Sequence, residues 1–177
     1  MKVLGIDIGA GTKDVLLYDS GQSVENCVKM VLPSPTILYV RRIGDAEADL
    51  YIDGHTIGGG DLVAELEKHM AKGHRVFMTR RAALTLYNRT SRVAAMGVTI
   101  ADGPPAEFSG EHVTLDEIGF DQLKRFLSSS LESLDDLDGV AIAVQDHGVP
   151  PEGMGQNEFR LKNFKEHFTQ RPEVHAS

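Results

Sequence analysis

The sequence predicts an α/β domain with a mixed sheet flanked by helices, and three observations lead to this fold class. At the N-terminus, the apolar segments 3–8 and 14–19 flank a glycine-rich turn, a pattern typical of a β-hairpin. Helical and strand periodicities then alternate between residues 50 and 131. Finally, the continuous apolar run 139–144 has the length and composition of a strand buried on both faces in a parallel sheet.

The hairpin turn is the strongest candidate for a binding site. The first strand delivers Asp7, and Gly9 and Gly11 allow positive φ and the close approach of a ligand to the backbone. We expect the amide groups of residues 10–13 to converge into an anion-binding concavity. A P-loop or a dinucleotide fingerprint opens a helix, whereas this turn enters a second strand, so the pattern indicates a phosphate hairpin. The alternative is a turn with a structural role only.

The run from Asp7 to Asp14, placed between two strands, resembles the first phosphate motif of the superfamily that contains actin, heat-shock chaperones and sugar kinases. This resemblance implies a ribonuclease-H-like core that forms one half of an actin-like ATPase fold, with Mg-ATP bound between two such domains. It also implies that Asp7 holds the Mg²⁺ ion through water. The phosphates would then be held by the turn residues Gly9, Ala10, Gly11, Thr12 and, as an added charge, Lys13.

More narrowly, segment 5–19 resembles the start of a family labelled pyruvate formate-lyase activating enzyme, and the similarity extends to residues 58–61 and 82–87. That label implies radical chemistry on an iron–sulfur cluster, which requires several cysteine ligands. The chain has a single cysteine, Cys27, so no such cluster site exists within it. We therefore expect that the chain is not a radical activating enzyme.

Two polar residues, Gln145 and Asp146, follow the apolar run 139–144 directly. In the superfamily that the hairpin resembles, a Gln, Glu or Asp at this place orients or activates the attacking water or hydroxyl. Phosphoryl transfer depends on positioning and charge neutralisation more than on covalent chemistry. We therefore expect Asp7, Gln145 and Asp146 to be the catalytic residues if the two strands are close in the sheet. The alternative is that the polar pair only marks a strand end meeting solvent.

The segment between the hairpin and residue 131 supplies the remaining predicted elements. Strands are expected at 23–32, 36–41, 50–52, 74–79, 98–100 and 112–115, and helices at 62–70, 80–88 and 123–131. Asp61 and Thr79 are candidate N-caps, and Gly73 is a candidate helix stop. The glycine triplet 58–60 has two interpretations, tight packing at the helix entry or anion contact at the helix N-terminus.

Composition narrows the classes of function. The net charge is −8 and no basic run occurs, which disfavours nucleic-acid binding. A ribonuclease-H-like nuclease, which needs clustered carboxylates for two metals, is therefore the weaker alternative. The single cysteine suits a reducing cytoplasm. No apolar run approaches the 18 or so residues of a membrane span, so we expect a cytoplasmic protein without a membrane partner.

The domain organisation that we predict is a ribonuclease-H-like domain over 1–150 and a helical tail over 151–177. The superfamily resemblance implies a second domain with an Asp-x-Gly phosphate motif and a Gly-Gly adenosine motif. Neither of these two motifs follows residue 150. Two hypotheses result. The chain is a nucleotide-binding domain of an actin-like ATPase or kinase, incomplete without a second domain. Alternatively, it is a non-catalytic interaction domain that kept this fold and forms a homodimer or pairs with a partner chain.

Overall fold

The computed structural model describes residues 1–129, 132–144, 148, 150–151 and 153–170. The chain divides into two compact units, Met1–Gln145 and Asp146–Ser177. The first unit contains two four-stranded sheets with helices packed against them, which confirms the α/β class. The sequence had predicted one mixed sheet, and the structure instead separates the strands into two.

The first sheet is mixed and contains the predicted hairpin. Its strands are β1 (Lys2–Ile8), β2 (Thr12–Asp19), β3 (Val28–Pro33) and β8 (Gly139–Val144), in the order β3-β2-β1-β8. Neighbouring strands β1, β2 and β3 are antiparallel, whereas β8 pairs with β1 in parallel. The first and last strands of the unit are therefore direct neighbours, as the site hypothesis requires.

The second sheet is entirely parallel and is formed by the middle of the chain. Its strands are β4 (Leu50–His55), β5 (Val76–Met78), β6 (Thr99–Ile100) and β7 (Glu111–Asp116), in the order β6-β5-β4-β7. Helices α2 (Gly60–Ala71), α3 (Arg80–Leu86) and α4 (Thr90–Ala95) form the connections between β4 and β6. Such crossovers are the connections that parallel strands require.

One predicted strand is wrong, because residues 36–41 belong to helix α1 (Pro35–Asp45). The Oγ of Ser34 accepts a hydrogen bond from the amide of Ile37 at 3.4 Å, and Pro35 occupies the first turn. Cap and proline together favour a helix start, and they outweigh the strand preference of the β-branched residues in this segment.

Two of the three predicted helix caps and stops are confirmed by the structure, and one is not. Thr79 caps α3 as predicted, since its Oγ1 accepts a hydrogen bond from the amide of Ala82 at 3.1 Å. Gly73 follows α2 with φ of 97°, which confirms the predicted stop. Asp61, however, lies inside the first turn of α2, and Gly59 precedes that helix without a side-chain cap.

The hydrophobic core has two parts, one for each sheet. The larger part packs α1 to α4 against the parallel sheet. The smaller part joins the mixed sheet to helix α5 (Phe120–Ser129) through residues such as Leu123 and Leu127. Strand β8 lies at the sheet edge, and its Val140, Ile142 and Val144 are 51%, 42% and 41% exposed. The expectation that this strand is buried on both faces is therefore wrong.

The second unit contains helix α6 (Gln156–Gln170). No helix among the described residues has both the length and the apolar character needed to cross a bilayer.

Candidate functional site

The turn between β1 and β2 forms a short, exposed hairpin tip. Ile8 pairs with Lys13 at the end of the ladder, and the amide of Gly9 donates to the carbonyl of Thr12 at 2.9 Å. Ala10 and Gly11 are exposed, and neither Gly9 nor Gly11 has a positive φ. A Cβ placed on Gly11 would meet no atom within 4 Å, so the backbone at the tip is open to an approaching ligand.

Ser34 holds this tip in place, a role that its residue type alone did not indicate. Its Oγ donates to the carbonyl of Ala10 at 2.8 Å, and its amide donates to the carbonyl of Gly11 at 3.0 Å. The same side chain caps α1, so one buried residue ties the hairpin tip to the start of a helix. The signal in the sequence was the serine between two prolines.

Two carboxylates stand opposite each other beside the tip. Asp7 on β1 is paired in register with Asp14 on β2, and both side chains are exposed. Residues directly opposite in an antiparallel pair lie on the same face with Cβ atoms about 5 Å apart. Thr12 Oγ1 donates to a carboxylate oxygen of Asp14 at 3.0 Å. The structure thus brings three polar side chains together at the carboxyl end of β1.

Lys13 does not join this group. Side chains alternate between the two faces of a strand, so Lys13 lies on the face opposite Asp14. It is only 2% exposed, and its Nζ donates to the carbonyl of Ile118 at 2.9 Å. Burial lowers the pKa of the Lys13 ammonium, while Asp116 and Glu117 act in the opposite direction. The predicted added charge for a phosphate therefore belongs to a different surface.

The face that carries Asp7 and Asp14 forms an open groove of about 650 Å³. Strands β1, β2, β3 and β8 supply its lining, which is mainly apolar. Lys29 on β3 is the basic residue of this lining. Two carboxylates and one ammonium in an apolar groove give a surface suited to a ligand that arrives together with a cation.

The predicted catalytic residues Gln145 and Asp146 lie outside the described residues. The strand that precedes them is described, and its register places Ala143 opposite Asp7 and Val144 opposite Ile8. Because β1 and β8 are parallel, their carboxyl ends lie at the same edge of the sheet.

The glycine triplet has a packing explanation. A Cβ on Gly59 would overlap the carbonyl of Thr85, and a Cβ on Gly58 would collide with Thr36 Oγ1. The loop before α2 also has an internal anion, because Glu117 Oε2 accepts hydrogen bonds from Thr56 Oγ1 and from the amide of Ile57. These contacts favour the structural interpretation of the triplet over anion binding.

The residues at the hairpin fit a hydrated Mg²⁺ ion better than a fully protein-coordinated metal. Among the described residues, no group of three or more His, Cys, Asp and Glu side chains is arranged to hold a metal. Mg²⁺ keeps several waters and is commonly bound by one or two carboxylates plus substrate phosphates. Asp7 and Asp14 supply such a pair.

A family model described as "Putative pyruvate format-lyase activating enzyme (DUF1786)" matches residues 57–176, which is more than half of the chain. No curated protein and no solved structure matches the chain.

Proposed function

We propose that this chain, which belongs to the family that matches residues 57–176, is a nucleotide-binding domain that holds the phosphates of Mg-ATP at the hairpin between β1 and β2. The pair Asp7 and Asp14 carries the proposal. Like charges directly opposite each other across antiparallel strands are destabilising. A divalent cation, delivered with a nucleotide, would neutralise this pair.

The strand arrangement supports the same proposal. Three antiparallel strands, with β8 added in parallel beside β1, agree with the ribonuclease-H-like core that the hairpin resemblance implies. Asp7 stands at the carboxyl end of β1, and ligands of α/β sheets bind outside the carboxyl ends of strands. On this basis we propose that the domain is of the actin-like ATPase type.

In this proposal each residue at the hairpin has a separate task. Asp7 holds the hydrated Mg²⁺ ion, and Asp14, fixed by the Thr12 hydroxyl, adds a second anionic oxygen. The amides of the exposed residues Ala10 and Gly11 contact the phosphates, while Ser34 holds the tip in place. Mg²⁺ supplies charge neutralisation on the phosphate oxygens when it is bound. Gln145 and Asp146 remain the proposed groups that position the nucleophile.

The family label does not enter this proposal. It names an activating enzyme, and radical chemistry of that kind needs several cysteine ligands for its cluster. The one cysteine of this chain, Cys27, is buried, and its Sγ accepts a hydrogen bond from the amide of Asp19 at 3.4 Å. Cys27 is therefore a packed structural residue.

Isothermal titration calorimetry with Mg-ATP and Mg-ADP tests the proposal. We expect saturable binding that disappears in Asp7→Ala and persists in Asp45→Ala. Asp45 is a matched control because it is an exposed aspartate at the end of α1, so its removal changes the net charge equally. Equal nucleotide affinity in the wild type and in Asp7→Ala would refute the proposed site.

A second candidate function is an interaction domain that pairs through β8. This edge strand contains no charged residue and no proline, the devices by which natural edge strands avoid pairing. Its exposed Val140, Ile142 and Val144 would then be covered in a homodimer. Light scattering at micromolar concentration is expected to show a dimer that Ile142→Lys converts to a monomer. A wild-type monomer at every concentration would contradict this candidate.

A further inference from the structure

The most unusual buried group in the first unit is the ammonium of Lys13. Lysine is almost never fully buried unless it is paired with a carboxylate. Within the described part of the chain, no carboxylate forms an ion pair with Lys13, and the carbonyl of Ile118 is its one hydrogen-bond acceptor. An ammonium has three N–H donors, and this carbonyl takes one of them. Burying a charge in this way is costly without a compensating anion.

The Lys13 side chain lies at the wall of a cavity of about 470 Å³ on the opposite side of β2 from the Asp7 groove. The cavity is formed by α1, the end of β7 and the first turns of α5, all within the first unit. This volume is in the range of small-molecule sites. The cavity is therefore separate from the proposed nucleotide site and large enough for a metabolite.

The charged lining of this cavity contains one more cation than carboxylates. It contains three cationic side chains and two carboxylates, namely Lys13, Arg42, Arg125, Asp116 and Asp121. The two arginines are exposed and stand at the rim, whereas Lys13 is buried. A ligand that enters past the arginines would thus face the inner wall that contains the lysine.

One of the two carboxylates is already engaged by the protein. Asp116 Oδ1 accepts hydrogen bonds from the amides of Ile118 and Gly119, both at 3.0 Å. This bonding fixes the turn before α5 and occupies one carboxylate oxygen of Asp116. Gly119 has φ of 63°, and a Cβ there would lie 3.3 Å from Lys13 Nζ, so the turn is shaped around the lysine.

We propose that the cavity walled by Lys13, Arg42 and Arg125 is a second ligand site, which binds a small organic anion through a carboxylate or phosphate group. Lys13 supplies a buried point charge, and the arginines supply planar donors that suit both groups. The acidic side chains in the lining restrict the site to ligands of low net charge. A bound anion would add to the influence of Asp116 and Glu117, which act on the Lys13 charge without forming an ion pair with it.

The experiment is an NMR titration of the full chain with acetate and with inorganic phosphate, against sodium chloride at matched ionic strength. We expect saturable shifts at the amides of Gly119 and Gln122, which line the cavity. Saturation by acetate alone identifies a carboxylate ligand, and saturation by phosphate alone identifies a phosphate ligand. No saturable shift with either probe would overturn the proposal.

Matched variants separate this site from non-specific binding. Arg42→Gln is expected to lower the affinity for the probe by about tenfold or more, because it removes a charged donor. Arg41→Gln, on the same helix but outside the cavity lining, is expected to leave the affinity unchanged. Lys13→Met should remove saturable binding, and Asp7→Asn should not affect it. Equal affinities in the wild type, Arg42→Gln and Lys13→Met would refute the assignment.

Discussion

The carboxylate pair at the hairpin predicts that one substitution stabilises the ligand-free protein and destabilises it, relative to the wild type, when Mg-ATP is present. Asp7→Asn removes one of two like charges that are paired in register across β1 and β2, with no loss of side-chain volume. With the Cβ spacing of about 5 Å taken as the charge separation, two unit charges in water repel each other by about 0.8 kcal/mol, which is within the 0.2–1 kcal/mol typical of cross-strand pairs. Without ligand, the free energy of unfolding of the variant should therefore exceed that of the wild type by up to about this amount.

In Mg-ATP the order should reverse. A ligand at about 100 times its dissociation constant stabilises the folded state by about 2.7 kcal/mol. The wild type gains this stabilisation and Asp7→Asn does not, so the variant becomes the less stable protein. Urea denaturation, with and without Mg-ATP, measures both differences, and Asp45→Asn serves as the control for net charge. An equal response of both proteins to Mg-ATP would refute the role of Asp7.

Three further predictions concern stability, each measured by urea denaturation. Burial lowers the pKa of His69, so the unfolded chain binds the proton more strongly than the folded one. The free energy of unfolding should therefore fall as the pH drops below about 6.5 towards the folded pKa. The variant His69→Gln should make this fall with pH smaller. Gly59→Ala should cost about 1–3 kcal/mol because its Cβ overlaps a backbone carbonyl, whereas Gly60→Ala, with open space around its Cβ, should cost nothing. Leu123→Ala should cost about 2–5 kcal/mol, and Phe126→Ala, which is 43% exposed, much less. Equal effects within either matched pair would contradict the packing described.

Local patterns predicted most elements because they depend on neighbouring residues. The cap at Thr79 and the stop at Gly73 were both identified from residue type and position, since each acts on backbone groups within one helical turn. The segment 36–41 is helical although it contains β-branched residues, because Ser34 caps the helix and Pro35 starts it. Propensity is a weak prior that cap chemistry and tertiary packing override.

The candidate site was predicted in part. The position of Asp7 at the end of a hairpin strand followed from the sequence, because alternation and the glycine turn define that strand end. The sequence did not show that Asp7 is grouped with Asp14 and Thr12. It also did not show that Ser34 supports the hairpin tip or that Lys13 lies on the other face. Strand register determines which side chains share a face, and a one-residue change of register would move each of them to the other face.

The sequence by itself determined the α/β class, the hairpin and the absence of cluster cysteines within the chain, because these depend on residue type and local period. Tertiary structure alone decided that the strands form two sheets and that β8 is an exposed edge. It also buried His69, and it placed Lys13 at the wall of a cavity. Burial depends on which distant segments pack together, and a local sequence pattern does not predict those contacts.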